Sequence, residues 1–121
     1  MTTPMQTPEF IYKIAGDDAF SAARSAGKFT GVPVDIADGF IHFSTAVQLP
    51  ETLSLHFRGQ QNLVLFAVRS HDLGKHLVWE PSRGGDLFPH VYGAFSIALV
   101  EWSAPISVAA DGSCTLPEAV R

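Results

Sequence analysis

The chain carries a single cysteine, Cys114, in 121 residues, which excludes an internal disulfide and any zinc site built on several cysteines. It is also poor in cations: eight Lys and Arg are spread thinly against twelve Asp and Glu, for a net charge of −4. Without a basic stripe no long nucleic acid is expected as a partner, although one or two cationic groups in a pocket could hold a small anionic, nucleotide-like ligand. No apolar run reaches transmembrane length. At the N-terminus Thr, Pro and Gln stand where a signal peptide needs a basic segment followed by apolar residues. The expectation is a soluble cytoplasmic protein with no membrane partner, its oligomeric state left open.

Several named chemistries lack their motif. There is no G-x-G-x-x-G after a strand and no G-x-x-x-x-G-K-S/T, so the phosphate cradles of dinucleotide-binding and P-loop folds are missing. H-E-x-x-H, close histidine pairs and a serine nucleophile elbow are absent too. A metal site would have to be assembled at long range from His42, His90 and Glu80. No internal repeat or low-complexity tract is visible.

What is present is an ordinary globular composition, 46% hydrophobic and 17% charged, in a length that fits one domain. Loose tails are expected over residues 1–8 and 110–121, with a single domain over 9–109. Phe10-Ile11-Tyr12-Lys13-Ile14 reads as a strand. Residues 19–26 read as a helix closed by Gly27, and 28–37 as a connecting loop. A second helix is expected over 50–58, with Leu49, Leu53 and Phe57 on one stripe. Leu63-Val64-Leu65-Phe66-Ala67-Val68 is a continuous apolar run of strand length, expected at the sheet centre. Residues 69–76 read as a loop or short helical turn with His71 and His76 exposed, 77–80 as a strand, 94–102 as a longer one, and 106–108 as a short edge strand. With two main short helices among about six strands, the fold class is α+β with a mostly antiparallel sheet.

Two clusters carry chemistry. In Asp38-Gly39-Phe40-Ile41-His42-Phe43-Ser44-Thr45, a turn leads into a strand whose Phe40, His42 and Ser44 share a face, the last two roughly 7 Å apart. A buried histidine bonded to a neighbouring carbonyl would give the same pattern. The second cluster runs from Trp79 to Gly93. Glu80, beside Trp79, sits where a carboxyl pKa could rise and make it a proton donor or a partner for a sugar hydroxyl. Arg83 before Gly84-Gly85 offers a guanidinium and backbone N–H groups to an anion, and His90 and Tyr92 share a face if extended. The structural alternative is a Glu80–Arg83 ion pair pinning a tight loop, with Tyr92 and Trp79 as core aromatics.

Ile11-Tyr12-Lys13-Ile14, Asp38-Gly39-Phe40-Ile41-His42-Phe43-Ser44-Thr45-Ala46-x-Gln48, Leu63-Val64-Leu65 and Trp79-Glu80-x-Ser82-Arg83-x-Gly85-x-Leu87-Phe88-Pro89-His90-x-Tyr92-Gly93 resemble the small bacterial family called domain of unknown function 952. The resemblance spans about residues 9–102. It implies a fold similar to the ADP-ribosyltransferase superfamily, a split antiparallel sheet that binds NAD in a cleft. Residues 39–44 look like the second strand of its RNA 2′-phosphotransferase branch. Glu80 and Glu101 are both candidates for the catalytic glutamate of those relatives.

If the chain is an enzyme, the resemblance implies an ADP-ribosyl or 2′-phosphotransferase-like activity with NAD as the expected cofactor. Glu80 and His42 would be catalytic, and Tyr12, Ser44, Arg83, His90 and Tyr92 would hold the ligand. The alternatives are a non-catalytic module binding a small anion or a protein, and a metal-dependent hydrolase.

Overall fold

The computed structural model describes residues 7–120 and, within them, every side chain but that of Arg83. The loose segment expected over 1–8 therefore falls, for residues 1–6, outside the described residues. In chain order the elements are β1 (Phe10–Gly16), α1 (Asp17–Ala26), β2 (Lys28–Phe29), α2 (Pro33–Asp38), β3 (Ile41–His42), α3 (Leu49–His56), β4 (Leu63–Arg69), α4 (Ser70–Leu73), β5 (Leu77–Pro81), β6 (Leu87–Val91), β7 (Phe95–Ser96) and β8 (Val100–Ile106). This is a mixed α+β domain with antiparallel pairing in every described strand pair.

Two three-stranded sheets carry the architecture, one in the order β1-β4-β8 and one in the order β3-β6-β5, with β2-β7 as a small third. The central position expected for 63–68 holds, and the packing explains its unbroken apolarity. Phe66 and Val68 face one core cluster, with Ile11, Phe20, Phe29 and Phe43. Leu65 and Ala67 face the other, with Tyr12, Leu49 and Leu53. Both faces of β4 are thus covered, and truncating a side chain as enclosed as Phe66 costs about 3–5 kcal/mol.

α1 ends as expected, at Gly27 in the left-handed conformation, and Leu49 and Leu53 turn the α3 stripe into the second core. Other expectations are corrected. There are four α-helices among the described residues, not two, and 28–37 is not a loop but contains β2 and most of α2. Pro33 opens α2 where a missing N–H costs nothing, and the Asp35 carboxylate reaches back to the Val32 N–H at 2.8 Å. The 94–102 strand is interrupted by a 3₁₀ turn, Ile97–Leu99, because the Ser96 hydroxyl accepts the Ala98 N–H and starts a helical turn. β8 then runs on to Ile106 and absorbs the edge strand expected at 106–108. Cys114, Leu116 and Val120 pack against the second core cluster.

The two main sheets are joined through the segment after β3. Ile41 and His42 pair with β6, but Ser44 exchanges both backbone hydrogen bonds with Tyr12 of β1, each 2.8 Å. One short segment therefore belongs to both sheets in turn, which is why β3 is two residues long rather than the four expected at 40–43.

Candidate functional site

Register builds the site. His42 on β3 lies opposite His90 on β6, and the Phe43 N–H donates to the Pro89 carbonyl at 3.0 Å, so 42/90 is the non-hydrogen-bonded pair of the ladder. Side chains of such a pair approach closely on one face, and the two imidazole centroids are 5.6 Å apart. Phe40 lies over both, 4.0 Å from the His90 ring and 4.6 Å from the His42 ring.

Each imidazole is held at Nδ1 by a carboxylate. On one side Asp35 Oδ1 lies 2.7 Å from His42 Nδ1 and accepts the His42 backbone N–H at 3.0 Å. The same carboxylate binds Lys13 Nζ at 2.9 Å, and both partners are buried. Burial pushes the Asp35 carboxyl up. The hydrogen bond from His42, the Lys13 charge and the Val32 and His42 N–H groups outweigh it and hold the group down at about 2. His42 Nε2 meets a second carboxylate, Asp38 Oδ2, at 2.9 Å.

On the other side Glu80 Oε1 lies 2.7 Å from His90 Nδ1 and accepts the Tyr92 hydroxyl at 2.8 Å. These bonds, His90 first and Tyr92 second, hold the Glu80 carboxyl below its ordinary range, and the same contact raises the Tyr92 phenol. The expectation of a raised, proton-donating Glu80 is thereby corrected. Two donors stabilise its charged form, so Glu80 orients His90 and remains an acceptor.

His42, Ser44 and His90 line one cleft of about 790 Å³, within the range of small-molecule sites. Phe43, Phe57 and Phe88 supply apolar wall, while Asp18, Asp38 and Gln60 supply polar rim. The Ser44 hydroxyl is 3.2 Å from that of Thr52 on α3, which ties the strand junction to the helix.

The other expected site residues fall as follows. Tyr12 borders the cleft, but its ring is fully buried and packs 5.9 Å from Trp102, so it has no free face on which a ligand could stack. Tyr92 is partly exposed and reaches the site through Glu80. The Arg83 side chain, and with it the alternative Glu80–Arg83 ion pair, lies outside the described residues. The Gly85 N–H expected to meet an anion donates instead to Ser82 O at 2.8 Å, inside the turn. Glu101 pairs with Arg69 at 3.0 Å and does not line the cleft, whereas Glu80 reaches the site through His90. Among the described residues no group of three or more His, Cys, Asp and Glu could hold a metal ion. Nor is any helix there long and apolar enough to cross a membrane.

Sequence reasoning missed Lys13, Asp35 and Asp38. The signal was available for the first: Lys13 shares a strand face with Ile11 and Ala15, and a charge on a buried face requires a partner.

The chain belongs to the family described as protein of unknown function (DUF952), whose model matches residues 14–103. The crystal structure of protein CC0527 from Caulobacter crescentus is similar to it, with 46% sequence identity, a TM-score of 0.83, and coverage of 88% of this chain and 93% of that one. The solution NMR structure of CC0527 is 47% identical over 87% of this chain and 90% of that one, with a TM-score of 0.77. No curated protein matches the sequence.

Proposed function

We propose that this DUF952 chain binds a small compound carrying ribose and phosphate, of the class of NAD, ADP-ribose or a ribose 2′-phosphate, in the cleft beside His42 and His90. His90 is the group placed to move a proton there. One observation carries the reading: two imidazoles in register on β3 and β6, each with a carboxylate on Nδ1, border the same cleft as Ser44. A carboxylate on Nδ1 fixes the ring and favours the tautomer protonated there, so Nε2 is the atom that can accept a proton from a ribose hydroxyl. The imidazolium that results is stabilised by the same carboxylate. In this reading Glu80 is a positioning residue acting through His90. The likeness of residues 39–44 to the second strand of the RNA 2′-phosphotransferase branch supports the ligand class, and the apolar wall of the cleft suits a flat ring.

Binding without turnover is the second reading, and a specific observation favours it. His42 Nε2 is already engaged by Asp38, so only one of the two imidazoles is poised for proton transfer.

Titrating NAD, ADP-ribose and ribose 2′-phosphate into isotope-labelled protein tests the ligand class by NMR. Shifts centred on His42, Ser44 and His90 are expected, and no shift with any of the three at millimolar concentration would sink it. Incubation with NAD and chromatography for released nicotinamide then separates turnover from binding alone.

A further inference from the structure

We infer that His42 Nε2 is an oxyanion subsite, occupied in the free protein by the Asp38 carboxylate and taken by a phosphate or carboxylate oxygen of the ligand when Asp38 swings out. This deepens the cleft reading above and rests on it for the location of the ligand.

The two carboxylates on His42 are held very differently. Asp35 is buried and anchored by Lys13, the His42 N–H and the Val32 N–H, so it fixes the ring from behind. Phe40 at 4.6 Å and His90 at 5.6 Å bound the ring on its other sides, and the direction of Nε2 is therefore set. Asp38 is the last residue of the short α2, its side chain is 48% exposed, and His42 is its one partner among the described residues. It lines the cleft beside Ser44 and His90.

The chemistry favours exchange over simple opening. Each ring nitrogen faces a carboxylate, Nδ1 that of Asp35 at 2.7 Å and Nε2 that of Asp38 at 2.9 Å. The titratable groups facing the ring are Asp35 and Asp38 from α2, Lys13 of β1 behind Asp35, and His90 from β6. Removing Asp38 without replacement would leave His42 Nε2 facing the cleft without its carboxylate. A ligand oxyanion in its place keeps the same charge count and a charge-assisted hydrogen bond of the same kind. An exposed, singly bonded carboxylate is the weaker competitor for that position.

The test uses inorganic phosphate and acetate as probes, protein carrying ¹³C in the aspartate carboxyl carbons, and three variants. Phosphate is expected to move the Asp38 carboxyl signal and leave that of Asp35 in place. Asp38→Asn is expected to tighten phosphate binding about two- to fivefold, the scale of losing one exposed ion-pair competitor. Asp18→Asn removes another carboxylate on the same cleft that does not touch His42, and is expected to tighten binding clearly less than Asp38→Asn does. His42→Gln is expected to weaken binding at least tenfold. The pattern with both probes supports a general oxyanion subsite, and with phosphate alone a phosphate subsite. Equal tightening in Asp18→Asn and Asp38→Asn would reduce the effect to the overall field and overturn the proposal, as would unchanged affinity in Asp38→Asn. If this phosphate pattern holds while NAD, ADP-ribose and ribose 2′-phosphate all fail to bind, the ligand class falls and the subsite stands. If NAD binds with the Asp38 carbon unmoved, the subsite alone falls.

Discussion

At the scale of the residue, Asp35 concentrates most of the electrostatic work in four donors on one buried carboxylate: Lys13 Nζ, the His42 ring, the His42 N–H and the Val32 N–H. Burial pushes the Lys13 amine down more than Asp35 pulls it up, while the carboxylate is held well below its ordinary 3.8. The two partners thus point opposite ways about what the pair is worth, and the carboxylate side decides, because its charge is shared among four donors and the ammonium's is not. A carboxyl lowered in the fold contributes its stability in full above its unfolded pKa and loses it as the pH falls through the folded one. For a shift from 3.8 to about 2 the contribution is on the order of 2 kcal/mol. Wild-type protein should therefore lose urea resistance between roughly pH 4.5 and 2 more steeply than Asp35→Asn does. At neutral pH that variant should already be weaker by about 3–5 kcal/mol, since Lys13 is left buried without its counter-charge. Urea midpoints across this range measure both, and parallel slopes for the two proteins would count against the assignment.

At the scale of the element, the question is how a helix of six residues persists, since a free helix that short has almost no stability. α2 is fixed at its ends: Pro33 at the start, the Asp35 carboxylate on the Val32 N–H, and Gly39 at φ 86° donating its N–H to Asp35 O at 2.9 Å. The turn before it is tighter still. Gly31 has φ 114°, and a Cβ there would stand 2.9 Å from the Cβ of Asp35, whereas a Cβ on Gly39 would meet nothing within 4 Å. Gly39→Ala should therefore cost about 1–2 kcal/mol, the left-handed penalty alone. Gly31→Ala should cost more than Gly39→Ala and also displace the carboxylate, shifting the His42 ring signals in NMR spectra while Gly39→Ala leaves them in place. Equal costs by urea denaturation with an unmoved His42 would show that the close approach does not matter. The same features explain what could be read from the sequence. α1 and α3 announce themselves through alanines, a core stripe and the stop at Gly27. α2 has Val34 and Ile36 exposed and spans fewer than two turns, so no periodicity marks it, although Pro33 and Gly39 bracket it.

At the scale of the whole molecule, two sheets are tied at one junction, and the candidate site is built on the tie. Alternation along single strands made part of this legible, namely the shared face of His42 and Ser44 and the shared reach of His90 and Tyr92 toward Glu80. The Lys13–Asp35 link was not legible, because its partners are 22 residues apart and meet only once β1 and α2 are packed together. β4 lies between β1 and β8 with both faces covered, so its amides should exchange only through global unfolding. The junction is held by the Tyr12–Ser44 backbone exchange, the Phe43 N–H on Pro89 O, and the Asp35 carboxylate spanning Lys13 and the His42 N–H. Removing the carboxylate takes away the side-chain part of the tie and leaves the backbone part. In Asp35→Asn the amides of Phe43 and Ser44 should accordingly lose protection by more than the drop in global stability, while those of Phe66 and Ala67 follow that drop one for one. Hydrogen exchange under native conditions reads both sets in one experiment. If all four amides fall in step, the sheets open as a single unit, and the buried carboxylate serves His42 without fastening the two halves.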